Sequence, residues 1–264
     1  MLSQVEKAIY INSITEIYKY NKYSRIYYGS EFCEYLIPSK EEVYKVVEIC
    51  KKRGLKLSFL TPYVTDYGIE KIDKILSFLS GCEGLEVVIN DFGVLELIRQ
   101  RNYKFNLCLG RLLNRQKRDP RIINFKNKLP PEVIKHFSGC YLDREEVMNV
   151  LKNLGIERIE FDNLPQGLLR LEVKIKASLY YPYIYISTTR LCPARKSLQE
   201  KFRLRKIEKC NLECRKFYFI LKNKAFVQEL ILKGNTYFLK WNKLPDNLET
   251  LGIDRIVFEP SIPI

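Results

Sequence analysis

Eight cysteines stand in a chain of 264 residues. Four of them, Cys33, Cys192, Cys210 and Cys214, are placed where metal chemistry could use them. Cys210 and Cys214 are four positions apart, a separation that puts two side chains on one side of a helical turn. Pro193 directly follows Cys192 and fixes the chain beyond it. Four thiolates suit a [4Fe–4S] cluster, one per iron, and they also suit structural zinc. Zinc sites favour paired Cys-x-x-Cys knuckles, and the chain has none. A third reading is four small core residues, because a free cysteine packs as a small hydrophobe. Spacing alone leaves all three open. The other four cysteines carry no such signal: Cys108 lies in a strand-like run, Cys50 near a helix end, Cys82 and Cys140 in glycine-containing turns.

The elements that must position these residues alternate in type. Arg25–Gly29 reads as a first strand, and Ser39-Lys40-Glu41-Glu42 as a capping box opening a helix that closes at Gly54. Strands are expected at 55–60, 85–89, 105–109, 158–161 and 183–186, and a last one at 255–258. Helices are expected at 66–79, 93–101 and from Asp143 to about Gly155. The runs 217–221 and 228–232 read as a hairpin, and 248–252 as a short helix. Strand–helix alternation argues for a parallel sheet, and about 250 residues is the usual size of a (β/α) barrel. No Gly-x-Gly-x-x-Gly turn follows a strand, so a dinucleotide fold has no fingerprint. The expectation is an α/β fold, one TIM-like barrel over 1–264, irregular in its last third, with a basic insertion or lid at about 110–137.

In such a barrel, functional groups collect at the C-terminal strand ends. Cys33 follows the first strand and Cys192 the sixth, so all four cysteines can reach one face. Asn90 and Asp91 end the third strand, Arg111 follows the fourth, and Asp162 and Asn163 follow the fifth. Arg111 is the candidate clamp for a carboxylate, with Arg190 as the second, because a guanidinium fork binds both oxygens. The competing readings are that Asp91 caps the next helix and that Arg111 pairs with it. Glu31 is either a support for Cys33 or exposed.

The net charge is +14, which admits RNA or another anionic partner. Lys and Glu are interspersed, however, and a solvated surface explains the charge equally. No run approaches the ~18 apolar residues of a membrane span, and the N-terminus does not read as a signal peptide; a cytoplasmic location is the expectation. His136 is the single histidine. Two-histidine zinc protease chemistry is excluded, and no Gly-x-Ser-x-Gly elbow is present.

The motifs in order resemble the family known as peptidase U-32, or collagenase-like. The resemblance spans nearly the whole chain. It rests on Tyr28-Gly29-Ser30-Glu31-Phe32-Cys33, Val88-Ile89-Asn90-Asp91-Phe92-Gly93, Leu109-Gly110-Arg111-Leu112-Leu113, the run from Tyr181 to Pro193, and the Cys210, Cys214 pair. Within the family the chain is most similar to short iron–sulfur members of the UbiU and UbiV type. The resemblance implies a barrel-like fold and a [4Fe–4S] cluster on Cys33, Cys192, Cys210 and Cys214. It implies oxygen-independent hydroxylation of a quinone precursor or an RNA base, prephenate as an oxygen donor, and a second family member as heterodimer partner. The chain is small for this family and unusually basic from Arg111 to Arg121. The alternatives are a non-catalytic, metal-stabilised module that binds RNA or a partner and, more weakly, a peptidase.

Overall fold

The computed structural model describes residues 5–170, 175–195, 210–224 and 228–264. Twelve strands are present among them: β1 (Glu6–Ile11), β2 (Arg25–Gly29), β3 (Lys56–Leu60), β4 (Glu86–Ile89), β5 (Asn106–Leu109), β6 (Ile156–Asp162), β7 (Lys176–Tyr181), β8 (Tyr183–Thr188), β9 (Phe219–Leu221), β10 (Leu230–Lys233), β11 (Thr236–Lys240) and β12 (Arg255–Phe258). Eight of them close a barrel in the order β1-β12-β7-β6-β5-β4-β3-β2, every pair parallel. This is the expected (β/α) barrel.

Helices α1 (Lys40–Arg53), α2 (Asp66–Leu79) and α3 (Phe92–Gln100) cover the β2-to-β5 side. In α1, Ser39 and Glu42 form the expected capping box, and Gly54 ends the helix at φ 63°. Val43, Val46, Val47 and Cys50 recur at helical spacing and are buried. In α2, Ile72, Ile75, Leu76 and Leu79 do the same. Burial of each such side chain contributes about 2 kcal/mol. Between β5 and β6 lie two short helices, α4 (Ile122–Phe125) and α5 (Pro131–Ser138), and then α6 (Glu145–Asn153). Arg144, rather than Asp143, stands at the cap position of α6. Residues 248–252 form turns and not the expected short helix.

The barrel lumen is filled in tiers. At the N-terminal end Arg255 pairs with Glu86 across the barrel at 2.7 Å, and Arg25 pairs with Glu6 at 3.1 Å. Above them the Tyr27 hydroxyl donates to Glu160 at 3.1 Å, among Ala8, Tyr10, Leu60, Val88, Cys108, Tyr180 and Val257. Cys108 is therefore core, as its strand position implies.

The sequence reading differs from the structure at four strands. β1 and β7 are barrel strands that it missed, and it also missed β11. The run 183–186, expected as a barrel strand, belongs to β8 of a second sheet, antiparallel, in the order β8-β11-β10-β9. The hairpin expected from 217–221 and 228–232 is the β9–β10 pair of that sheet. The sheet closes the mouth of the barrel: Tyr185 and Phe238 from it pack with Phe32 and Ile262 in a separate apolar cluster. No helix among the described residues is long and apolar enough to cross a membrane.

Candidate metal centre and adjoining cleft

Cys33 follows β2 in extended conformation, and its backbone leads into a short 3-10 turn, Glu34–Leu36. Cys192 follows β8. Cys214 sits in the turn Glu213–Arg215, entered through Leu212 at φ 59°. All four cysteines are free thiols. Cys192, Cys210 and Cys214 lie within electrostatic range of Cys33, and Cys192 and Cys210 within that of Cys214. Burial, reinforced by these neighbours, pushes the Cys33 thiol up to about 12 and the Cys214 thiol to about 11. Backbone N–H groups aim at the sulfurs: Tyr35 at Cys33, Ala194 and Arg195 at Cys192, and Leu212 at Cys210, at 3.4 Å. At Cys33 and Cys192 such donors favour the thiolate form that a metal takes. Four thiols are the number of donors that a four-thiolate cluster would need. Among the described residues, no group of three or more His, Cys, Asp or Glu side chains is placed so that it could hold a metal ion.

The β10–β11 turn organises this region. Gly234, at φ 60°, lies so close to Cys214 that a Cβ there would come within 3.3 Å of the cysteine Cβ. Its neighbour Asn235 is buried, and its amide donates to Phe32 O at 2.6 Å and to Thr189 O at 2.8 Å. One side chain thus straps the Cys33 loop to the Cys192 loop. Tyr63 reinforces the strap, its hydroxyl donating to Thr189 O at 2.6 Å. The sequence reading missed both residues. The Gly234-Asn235 pair between β-rich runs was the available signal, since glycine and asparagine serve tight hairpin turns.

The candidates at the strand ends meet different fates. Arg111 does not reach open solvent in the mouth. It is fully buried, with Glu31, Asp162 at 3.0 Å and Glu259 at 2.7 Å as ion-pair partners. Its guanidinium lies 3.9 Å from the centre of the Tyr180 ring. The expected role of a ligand clamp is corrected here, because the chain's own carboxylates take its donors and β8 covers it, with Tyr183 O accepting at 3.2 Å. Asp162 is held from its other side by Arg118 at 2.8 Å. Glu31 is a buried partner of Arg111 and not exposed. Three carboxylates facing two guanidinium ions leave one negative charge. Burial, only partly offset by Arg111, pushes Glu259 up to about 8, and the proton it keeps removes that charge.

Asp91 caps α3, its Oδ1 accepting from Gly93 N at 2.6 Å, while Oδ2 accepts from Val64 N. Asn90 donates to Thr61 O at 3.0 Å and accepts from Leu112 N at 3.1 Å, tying three strand ends together. Asn163 donates to Lys243 O. The insertion leaves β5 at the same end of the barrel, and Asn114, Gln116 and Arg118 fold back on β6. Arg111 and Arg118 therefore grip protein carboxylates rather than phosphate. His136 is exposed on α5.

Beside Cys33 opens a cleft of about 410 Å³. Tyr35, Tyr63, Tyr67, Arg190 and Arg195 line it together with Cys33. Of the expected binding residues, Arg190 alone reaches this cleft.

No protein-family model and no curated protein matches the chain. Among solved structures, the chain is similar to the one titled "The Structure of the U32 Peptidase Mk0906", at 13% identity, TM-score 0.51, covering 100% of this chain and 96% of that one. A likeness at that identity establishes the shared barrel fold.

Proposed function

We propose that this chain is an iron–sulfur protein of the U32 peptidase family, a component of an oxygen-independent hydroxylation system acting on a quinone precursor or an RNA base. The observation that carries the reading is that Cys192, Cys210 and Cys214 lie within electrostatic range of Cys33, which lines an open, aromatic-lined cleft. The fold likeness to a U32 peptidase and the ordered motifs support the family. When bound, a [4Fe–4S] group supplies one-electron chemistry. The chain's own residues do the rest: Asn235 and Tyr63 fix two thiol loops, and the cleft orients what binds at Cys33. The subtype, the oxygen donor and a heterodimer partner come from the resemblance alone.

Peptidase chemistry finds little support. His136, the single histidine, is exposed on a short helix within the insertion, with its ring edge-on to Phe137.

The test is anaerobic purification. About four irons per chain and a brown chromophore are expected. Cys33→Ala, Cys192→Ala, Cys210→Ala and Cys214→Ala should each lose most of the iron, whereas Cys108→Ala should retain it. Stoichiometric zinc with no iron would overturn the reading in favour of a metal-stabilised binding module.

A further inference from the structure

Large hydrophobic side chains that reach solvent stand mostly alone along the chain, as Tyr18, Phe92 and Val150 do. Single exposures of that kind are ordinary. One run differs. Tyr218 and Ile220 are each 51% exposed, and Phe219 and Leu221 are each 37% exposed. Side chains alternate between faces along a strand, so both faces of β9 meet solvent. β9 is also the last strand of its sheet, and its far edge pairs with no strand among the described residues. Folded proteins guard such an edge with a charge, a proline or a bulge. The run from Phe217 to Leu221 holds no charge and no proline, and its pairing with β10 is in regular register.

The sheet itself builds the apolar surface. β9 pairs antiparallel with β10, setting Phe219 beside Leu232, Leu221 beside Leu230 and Ile220 beside Ile231. Opposed residues share a face. Leu230 and Leu232 are buried, so Phe219 and Leu221 carry a packed apolar layer outward to water. The Phe217 ring packs on the Phe219 ring, with 5.3 Å between centres. An added strand would extend both layers and take up the open backbone edge.

Charge decides which strand fits. Arg215 and Lys216 precede the run, Lys222 and Lys224 follow it, and all four are exposed. Lys222 has Glu229 at 2.8 Å. The other three have no carboxylate partner among the described residues. A second copy of this chain is a poor occupant. Antiparallel self-pairing centred on Phe219 sets Lys216 opposite Lys222, and centring on Ile220 sets Lys216 opposite Lys224. Like charges opposed across a ladder repel. A nucleic acid would use the cations and the rings, but Ile220 and Leu221 offer no face for stacking. A polypeptide with an apolar middle and acidic ends satisfies the edge, both faces and the flanking cations.

We infer that the free edge of β9 is a docking site for an extended segment of another protein, apolar in its middle and acidic at both ends, which adds a strand to the sheet. The inference depends neither on iron nor on the function proposed above.

The test is fluorescence anisotropy of the full chain with the labelled peptide Glu-Glu-Val-Thr-Val-Thr-Val-Glu-Glu. One control peptide carries Lys in place of each Glu, and a second is N-methylated at its Val and Thr amides. A labelled oligouridine is the nucleic-acid probe. Saturable binding of the acidic peptide is expected, about tenfold or more tighter than either control. Ile220→Lys, which places a charge on the edge, should weaken it about tenfold. Lys216→Glu combined with Lys224→Glu should reverse the preference, so that the Lys-ended peptide binds the better. These side chains are exposed, so circular dichroism and melting temperature should match the wild type in each variant. No saturable binding of the acidic peptide, equal binding of both end charges, or undiminished binding in Ile220→Lys would overturn the site. Oligouridine binding lost in the charge-reversed variant, with no peptide bound, would overturn it in favour of a nucleic-acid surface. A dimer in sedimentation that Ile220→Lys dissociates, with no peptide bound, would overturn it in favour of a second copy.

Discussion

The side-chain amide of Asn235 donates to the backbone carbonyl of Phe32 at 2.6 Å, across 203 positions of sequence. That carbonyl immediately precedes Cys33. The same amide holds Thr189 O, three residues before Cys192. A neutral amide is suited to this place because it can donate to more than one carbonyl at once. Asn235→Asp would set a carboxylate against two carbonyl oxygens, and Asn235→Ala would leave Phe32 O unpaired at a cost of about 1–3 kcal/mol, while Thr189 O keeps the Tyr63 hydroxyl. We expect Asn235→Asp to release iron to a chelator faster than the wild type, with Asn235→Ala between the two. Release rates equal to the wild type in both variants would show that the strap does not position the thiols.

Arg111 anchors the closed mouth of the barrel. Removing it strands Glu31 and Glu259 and leaves Asp162 with Arg118 alone, and breaking a buried ion pair from one side costs about 3–5 kcal/mol. Arg111→Leu should therefore unfold at much lower denaturant than the wild type. Arg111→Lys keeps the charge but cannot serve three carboxylates from one point, so it should fall between them. A denaturation midpoint unmoved by Arg111→Lys would mean that the charge alone matters and the fork does not.

Much of the barrel was legible in the sequence because its signals are local. The Ser39 capping box, Gly54, and the apolar spacing of α1 and α2 sit within a few turns of chain and need no tertiary information. The four cysteines stood out in the sequence as a candidate set because of their residue type. What failed was pairing. Tyr183-Ile184-Tyr185-Ile186 has the composition of any strand, and nothing in it says that its neighbour is β11 and not the barrel. Missing that sheet left the barrel mouth open, and an open mouth made Arg111 a ligand clamp. The carboxylates that occupy it come from positions 31, 162 and 259, a convergence that spacing does not reveal.

The junction of β4 and β5 gives a sharper steric test. A Cβ on Gly110 would sit 2.1 Å from Asn90 Oδ1, inside any tolerable contact. Asn90 cannot swing aside without abandoning Thr61 O and Leu112 N. Gly110→Ala should destabilise the chain by about 1–3 kcal/mol, the usual cost of overpacking. Combining it with Asn90→Ala should remove the clash, so the double variant should be more stable than additivity of the two single changes predicts. Additive losses in a double-mutant cycle would mean that the two residues do not compete for this space.

The buried acids make stability depend on pH in a definite direction. Burial, outweighing the pull of nearby arginines, raises Glu259 to about 8 and Glu160 to about 7, from 4.5. Between those values the folded chain keeps protons that the unfolded chain has released. Their contribution is whole below about pH 4.5, falls as pH rises toward 7 and 8, and is flat above. Each such proton gives a slope of up to about 1.4 kcal/mol per pH unit. Glu86 has the opposite sign: the hydrogen bonds and charge of Arg255 together overcome its burial and bring it down to about 2, so its contribution is lost only as pH falls from 4.5 toward 2. Urea midpoints should therefore decline from about pH 5 to about pH 8. Glu259→Gln, which keeps an oxygen for Arg111 but carries no titrating proton, should abolish the decline above about pH 7 and leave the lower part, which belongs to Glu160. A decline above pH 7 that persists unchanged in Glu259→Gln would assign the proton to another group.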